Sequence, residues 1–350
     1  MEFMKEQFES ELSAEIDDKG RVVIGGSEFT PTEILQELDD QSYLSCFEDW
    51  LGDQKQKRCS KANEILNQYG NRDRFNRLKE AFDRSAVIPF VGAGLSQASG
   101  YPGWTNFLDK LRSETRLTSE QLKAMLDTGH YEEAAQALAD DMPAGSFNEE
   151  LENVYCVERE MQGPVQFLPH VFKGPVITTN FDNILKQCFD KISPFSETLI
   201  GGDASEIKRY LGRNEHVLVK LHGKANSGKN RILTKSEYDI FYDENNSLPG
   251  AIKNIASNQL LFMGCSLGVD RTIKVLIDIV QEQGHDNTVR HYAFLPLFND
   301  AERLDRRDAL AEANIFPIWY PVEVMDGQVV DEEIHDESIA ALLEALGIEG

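Results

Sequence analysis

Four short stretches of this 350-residue chain join a run of apolar residues to groups that can hold a ligand. In the first, Ala86-Val87-Ile88-Pro89-Phe90-Val91 stops at Gly92-Ala93-Gly94, and small polar residues follow as far as Gly100. This pattern predicts a strand running into a tight turn, with the next backbone amides left free. Glycines let the main chain approach a ligand closely, and amides at a helix start carry partial positive charge, so the turn suits a phosphate. An ordinary turn has the same composition. The other three runs are Val176-Ile177-Thr178-Thr179 before Asn180-Phe181-Asp182-Asn183, His216 to Leu221 before His222-Gly223, and Gln259 to Met263 before Gly264-Cys265-Ser266-Leu267.

The elements that must position these groups follow from the spacing. A helix is predicted over Arg72 to Asp83, leading directly into the first strand. Helical patterns at Trp104 to Leu111, Ser119 to Leu126 and Tyr131 to Ala139 form an insertion over about 105–170, a lid over whatever the glycine turn holds. A helix from about Arg271 to Gln283 follows the fourth run. His291 to Leu297 and Ile315 to Tyr320 add two strands, separated by a helix over Ala301 to Ala313. Strands alternating with helices predict an α/β fold: a Rossmann-like, doubly wound parallel sheet with helices on both faces. In an open parallel sheet the carboxyl ends of the strands lie along one edge, where such folds bind ligands. One crevice then collects all four clusters.

Residues 1–70 differ in character and read as a small accessory or assembly module, with 71–350 as the ligand-binding domain. Arg21-Val22-Val23-Ile24 predicts a short strand ending at Gly25-Gly26, and Thr30-Pro31-Thr32-Glu33 a helix start with proline in its first turn. Leu35, Leu38, Tyr43, Phe47, Trp50 and Leu51 suggest apolar helix faces, and Gln54 to Lys61 a polar connection. At the other end, residues 322–350 are strongly acidic but close on an amphipathic stretch, Ile339 to Leu346, which predicts a final helix.

Composition narrows the function classes. The net charge is −25, from 60 acidic and 35 basic side chains, and no Lys/Arg cluster offsets it, which disfavours direct nucleic-acid binding. No apolar run reaches the roughly 18 residues that span a bilayer, and neither end reads as a leader, so a cytoplasmic protein with no membrane contact is expected. The five scattered cysteines form no CxxC pair and read as reduced packing residues.

Taken in order, GAGLSQASGYP, TTNFD, KLHG and GCSL resemble the four blocks of the sirtuin family: its glycine-rich opening, its Thr-x-Asn-x-Asp block, its histidine block and its Gly-x-Ser-Leu block. The resemblance covers Ala86 to about Asp270. It implies that the protein binds NAD and cleaves the nicotinamide–ribose bond. It further implies that Gly92, Gly94 and Ser96 hold the phosphates, that Ala93 and Thr179 join them in the cofactor-binding set, and that Gly264 and Ser266 lie near the adenosine half. Asn180 would orient the ribose hydroxyls and a water, Asp182 would help bind the carboxamide end, and His222 would be the general base. Losing nicotinamide leaves an oxocarbenium-like ribose, which needs positioned hydroxyls and a nucleophile more than a strong acid. Tyr101, Pro102 and Trp104 stand where sirtuins have a mobile loop over nicotinamide, with Trp104 either a pocket wall or core packing.

Two departures place the chain within the family. Protein deacylases carry a four-cysteine zinc module between the histidine and Gly-x-Ser blocks, whereas Lys224 to Met263 holds no cysteine, and the opening reads Pro102-Gly103-Trp104-Thr105 instead of Pro-x-Phe-Arg. No zinc is expected, and water becomes the acceptor. The chain looks more like the zinc-less NAD hydrolases of bacterial antiphage systems, which share TTNFD, KLHG and a following Leu-Thr-x-x-x-Tyr segment, here Leu233 to Tyr238. That branch implies NAD as substrate, nicotinamide and ADP-ribose as products, and NAD depletion held off until a trigger arrives. With no sensor domain identified, control is expected from a homo-oligomer or from a separate regulatory protein such as a HerA-type ATPase or an Argonaute-like protein. The alternatives are an NAD-dependent protein deacylase and a catalytically silent NAD or ADP-ribose sensor that regulates a partner. Gly223 to Asn230 nearly matches an ATPase phosphate loop, but Asn230 replaces the magnesium-binding hydroxyl and the segment leads into a strand-like run, Arg231 to Thr234, instead of a helix.

Overall fold

Strands buried on both faces of a parallel sheet need nearly continuous apolar runs, and seven such segments pair side by side in this chain. The structure, a computed structural model, describes residues 2–347 except 229, 269, 323, 326, 327, 330 and 331. It divides into two compact units, Met1–Ala62 and Asn63–Gly350.

Numbering only the strands of the large sheet, β1 is Val87–Val91, β2 Val176–Thr178, β3 Glu197–Ile200, β4 Val217–Lys220, β5 Gln259–Met263, β6 His291–Leu297 and β7 Ile315–Pro321. Across the sheet the order is β3-β4-β2-β1-β5-β6-β7, with every neighbouring pair parallel. The chain therefore fills one side of β1 first, with β3 taking the edge and β4 inserting between it and β2, then returns to β1 and builds outward on the other side. That reversal opens a crevice at the carboxyl ends of β1, β2 and β5, the position where doubly wound sheets bind ligands. One buried cluster runs along the sheet through Ile88, Phe90, Ile177, Val219, Phe262, Leu295 and Trp319. Full burial of side chains of this size stabilises the fold by about 1.5–3 kcal/mol each.

The expected insertion is helical throughout, with helices at Trp104–Arg112, Ser119–Asp127, Tyr131–Asp141 and Ser146–Tyr155. The final helix is also present, over Glu332–Gly347, but it is less amphipathic than its sequence suggests. Ile339, Ala340, Ala341, Leu342 and Leu343 are all buried in succession, so more than one of its faces is covered. The edge strand β3 went unforeseen: it is four residues long and only Leu199 is buried. Arg231 to Thr234, expected to be strand-like, is irregular and leads into a helix at Lys235–Phe241 capped by Thr234. Ile232 N donates to His222 O (3.0 Å), two residues past the end of β4. Lys229 of the phosphate-loop look-alike lies outside the described residues.

Asn71 opens the Asn71–Asp83 helix and is fully buried against β7. Its Nδ2 donates to Trp319 O (2.7 Å) and to Ile65 O (2.8 Å), while its Oδ1 accepts from Trp319 N (3.0 Å). The side-chain amide thus acts as a one-residue neighbour for the sheet's outermost strand. Asn71→Ala would strand two backbone groups of Trp319 in a dry site, at about 1–3 kcal/mol each. A fall in the melting temperature of roughly 5–15 °C is expected. Thermal unfolding followed by circular dichroism checks it, and an unchanged midpoint would remove Asn71 from the account.

In the first unit, Glu2–Ile16, Pro31–Leu38 and Asp40–Leu66 are helices, the last running on past the unit's boundary. Thr30 and Glu33 form a reciprocal cap at the helix start expected from sequence, each side chain accepting from the other's backbone amide (3.2 and 2.7 Å). The apolar face expected from Tyr43, Phe47 and Trp50 packs around Phe8, with ring centroids 5.3–5.7 Å apart. The short strand Val22–Ile24 ends at the Gly25-Gly26 turn as expected, and the turn leads back into a second strand, Ser27–Phe29, giving a hairpin. One expectation needs correction. Gln54 to Lys61 is not a connection but the middle of the long helix, since Gln, Lys, Arg and Ser there include no proline or glycine to end it.

Candidate active site

Two glycine turns meet at the carboxyl ends of β1 and β5. Gly92 N donates to Met263 O (2.8 Å) and Gly94 N to Gly264 O (2.9 Å). A Cβ on Gly92 would stand 2.4 Å from the Gly264 carbonyl oxygen, and Gly264, at φ +66°, would set a Cβ 2.6 Å from Leu95 N. Each turn therefore needs glycine so that the other can approach. The Gly94 amide is consequently engaged, contrary to the expectation that the amides after the turn are free. Nor does a long helix start there. Ala93–Ser96 is a single 3-10 turn, and the next α-helix begins at Trp104.

A cavity of about 640 Å³ lies over this junction. Gly92, Ala93, Gly94, Thr179, Gly264 and Ser266 line it, so these sequence-predicted positions come together. Gly103, Trp104, Thr105 and Asn106 form another wall. Gly103 gives the Trp104–Arg112 helix no side-chain cap, and the partial positive charge of its first amides therefore borders the cavity. This helix, not the glycine turn, is the one whose start can favour an anion. Asp127, Glu132 and Asp270 also line the cavity, while no Lys or Arg among the described residues does. Any polyphosphate held here would depend on backbone amides. Trp104 is both wall and packing residue, edge-on to Phe181 at 5.2 Å. Tyr101 is not over the cavity; it is buried, and its hydroxyl donates to Val157 O (2.7 Å).

Ser96, Asn180, Asp182 and His222 are buried and do not line the cavity. Thr178 and Lys220 are register partners on β2 and β4, so Asn180 and His222, each two residues further on, leave the ends of neighbouring strands. The Thr178 hydroxyl donates to Val91 O (2.7 Å) and accepts from Asn180 N (3.0 Å), which fixes the turn. Asn180 Nδ2 then donates to Ser96 Oγ at 3.2 Å. Asp182 accepts from Ile184 N (3.0 Å); burial raises its pKa, opposed chiefly by the charge of Lys220. Lys220, itself 2% exposed, donates its ammonium to the carbonyls of Phe181 (3.0 Å) and Asp182 (2.5 Å). Desolvation lowers Lys220 to about 8. One buried cation thus clamps the Asn180–Asp182 turn. Among the described residues, no group of three His, Cys, Asp or Glu side chains is placed to hold a metal ion.

His222 belongs to a second network. Its Nε2 is 2.8 Å from the Tyr242 hydroxyl, which lies 2.8 Å from Thr272 Oγ1, and its Nδ1 is 3.4 Å from the Tyr238 hydroxyl. Burial lowers His222 to about 4, so the imidazole is neutral near pH 7. Burial does the same to His291 at the start of β6, also to about 4. An unfolded histidine titrates near 6.5. Between those values the unfolded chain binds more protons than the folded one, and stability falls as pH drops from about 6.5 towards 4. Melting temperatures measured across that window should decline, with a shallower decline in His291→Gln. Equal slopes in the two proteins would contradict the assignment.

The comparisons with known proteins bear on the same strands. The SIR2-like domain family matches residues 175–318, from the start of β2 into β7. Over these residues the chain is similar to a SIR2-like domain. The likeness to sirtuin-like proteins carried by TTNFD, KLHG and GCSL is borne out, while the glycine-rich opening at Gly92 lies before the SIR2-like match. The chain is 26% identical over 216 residues to defense-associated sirtuin 2 from Bacillus subtilis, covering 60% of this chain and 21% of that protein. It is 23% identical over 230 residues to the NAD(+) hydrolase ThsA of Cytobacillus dafuensis, covering 63% and 43%. With ThsA of Acinetobacter baumannii (strain 532279) it shares 22% over 235 residues, covering 67% and 47%. The chain thus spans less than half the length of these curated relatives.

Several residues around the candidate site carry no mark in the sequence. Lys220 and Tyr238 fall inside the KLHG and Leu-Thr-x-x-x-Tyr segments, but neither segment by itself shows what they do. Tyr242 follows Tyr238 by one helical turn, a spacing that puts both rings on one face.

Proposed function

We propose that this chain hydrolyses NAD, releasing nicotinamide and ADP-ribose, and that it serves bacterial defence against phage. The observation that carries the reading is one cavity at the carboxyl ends of the strands, floored by both glycine turns and by Thr179, with Asn180 and His222 leaving adjacent strand ends beside it. The names of the relatives, NAD(+) hydrolase and defense-associated sirtuin, point the same way. On this reading NAD is a substrate, and its pyrophosphate lies between the glycine turn and the uncapped start of the Trp104 helix. Asn180, steadied by Ser96, orients the ribose hydroxyls and a water. Asp182 supports the carboxamide end, and neutral His222 takes up the proton that water loses. Residues 1–70 act as an assembly module for a homo-oligomer in the cytoplasm. Control then rests on assembly or on a separate regulatory protein, such as a HerA-type ATPase.

A second reading, a silent NAD or ADP-ribose sensor, is favoured by one observation: two tyrosines cap His222, and it does not line the cavity. Incubation with NAD separates the two. Nicotinamide and ADP-ribose released without any peptide support hydrolysis; binding without release supports the sensor; release only with an acyl-lysine peptide would support deacylation.

A further inference from the structure

His222 is 2% exposed, and both of its ring nitrogens face tyrosine hydroxyls. Of those two tyrosines only Tyr238 lines the cavity; at the far end of the chain of contacts, Thr272 lines it again. The hydrogen bonds therefore run from the cavity through Tyr238, His222, Tyr242 and Thr272 back to the cavity. Two arrangements of protons satisfy every member, one the reverse of the other. In the one that leaves Nδ1 free to accept, Tyr238 donates to Nδ1, Nε2–H donates to Tyr242, and Tyr242 donates to Thr272. The Tyr238 ring is held in place from several sides. It stacks on Tyr242 with centroids 5.5 Å apart and planes 26° apart, and the Arg271 guanidinium lies 5.3 Å from its centre. Arg271 is fixed in turn by Glu132 (2.9 Å) and Asp239 (2.6 Å). A tyrosine pinned this firmly between a buried imidazole and a ligand cavity is placed to move protons.

We propose that Tyr238 is the proton relay between the bound substrate and His222. This rests on the NAD-hydrolase reading. Hydrolysis of NAD yields nicotinamide, ADP-ribose and one proton, and that proton needs a route away from the ribose. As the carbon–nitrogen bond to nicotinamide breaks, its electron pair leaves with nicotinamide, and water oxygen bonds to the ribose carbon. The water proton passes to the Tyr238 oxygen while the tyrosine's own proton moves to His222 Nδ1. Tyrosine ends neutral, and the imidazole becomes an imidazolium whose Nε2–H remains bonded to Tyr242. The 3.4 Å separation of Tyr238 and Nδ1 is long for a hydrogen bond; such contacts commonly shorten when substrate is bound.

Tyr238→Phe keeps the ring and removes only the hydroxyl. Nicotinamide release is expected to fall about 10- to 100-fold in kcat, with KM and melting temperature little changed. The solvent deuterium isotope effect on kcat should change with it, a readout that a purely structural role would leave alone. Tyr242→Phe, which cuts the chain beyond the imidazole, should lower kcat less while leaving NAD binding by calorimetry intact. Wild-type turnover with an undiminished kcat and an unaltered isotope effect in Tyr238→Phe overturns the relay and leaves the hydrolase reading standing. A wild-type chain that binds NAD but releases no nicotinamide overturns the hydrolase reading, and the relay with it.

Discussion

His222→Ala is expected to lower nicotinamide release by about 100- to 10,000-fold, the usual contribution of a positioned base. The imidazole is held neutral by burial, its pKa lowered to about 4, so it is in its proton-accepting form throughout the neutral range. The wild-type rate should therefore stay level from about pH 7 down to about 5, falling on the acid side only as the pH nears 4 and on the basic side as Lys220 loses its proton near 8. An exposed histidine would give a fall near 6.5 instead. Because alanine also removes the partner of two tyrosine hydroxyls, the variant should melt earlier, and NAD binding measured by calorimetry is the control that separates lost chemistry from lost fold. A variant that binds NAD and turns it over at the wild-type rate would take His222 out of the mechanism.

Lys220→Met should have the next largest effect. The methionine side chain fills a similar volume but offers nothing to the carbonyls of Phe181 and Asp182, which now share one ammonium. It also removes the cation that opposes the burial of Asp182. Removing one partner of a buried charged pair typically costs about 3–5 kcal/mol. Part of that cost is avoided here if Asp182 takes up a proton, towards which burial already drives it. The expected result is a loss of roughly 2–4 kcal/mol in chemical denaturation, together with lost turnover, because the clamped turn also carries Asn180. A stable variant with normal turnover would show that the turn holds its shape unaided.

The sheet was largely legible because parallel strands buried on both faces leave unbroken apolar runs, as at Gln259–Met263 and His291–Leu297. Capped helix starts were legible for the same local reason, as at Thr30. The edge strand Glu197–Ile200 was not, because a four-residue edge strand with only Leu199 buried leaves too short an apolar run to stand out. Gln54 to Lys61 misled in the opposite sense, since polarity marks exposure and not the end of a helix. In the site, the positions that line the cavity could be read from glycine and strand ends. That the Gly94 amide is taken by Gly264, and that two tyrosines enclose His222, depend on contacts between segments far apart in sequence, which no local pattern encodes.

The central claim is that the cavity over the two glycine turns holds the dinucleotide with its reacting ribose carbon beside Asn180 and within reach of His222. A crystal structure of the full chain with ADP-ribose bound tests it most directly. The account predicts the pyrophosphate between Gly92–Gly94 and the start of the Trp104 helix, and the ribose carbon within about 3.5 Å of the reacting groups around Asn180 and Tyr238. ADP-ribose bound elsewhere, or bound here with Asn180 and His222 opening onto separate cavities too far apart to share one ribose, would contradict it.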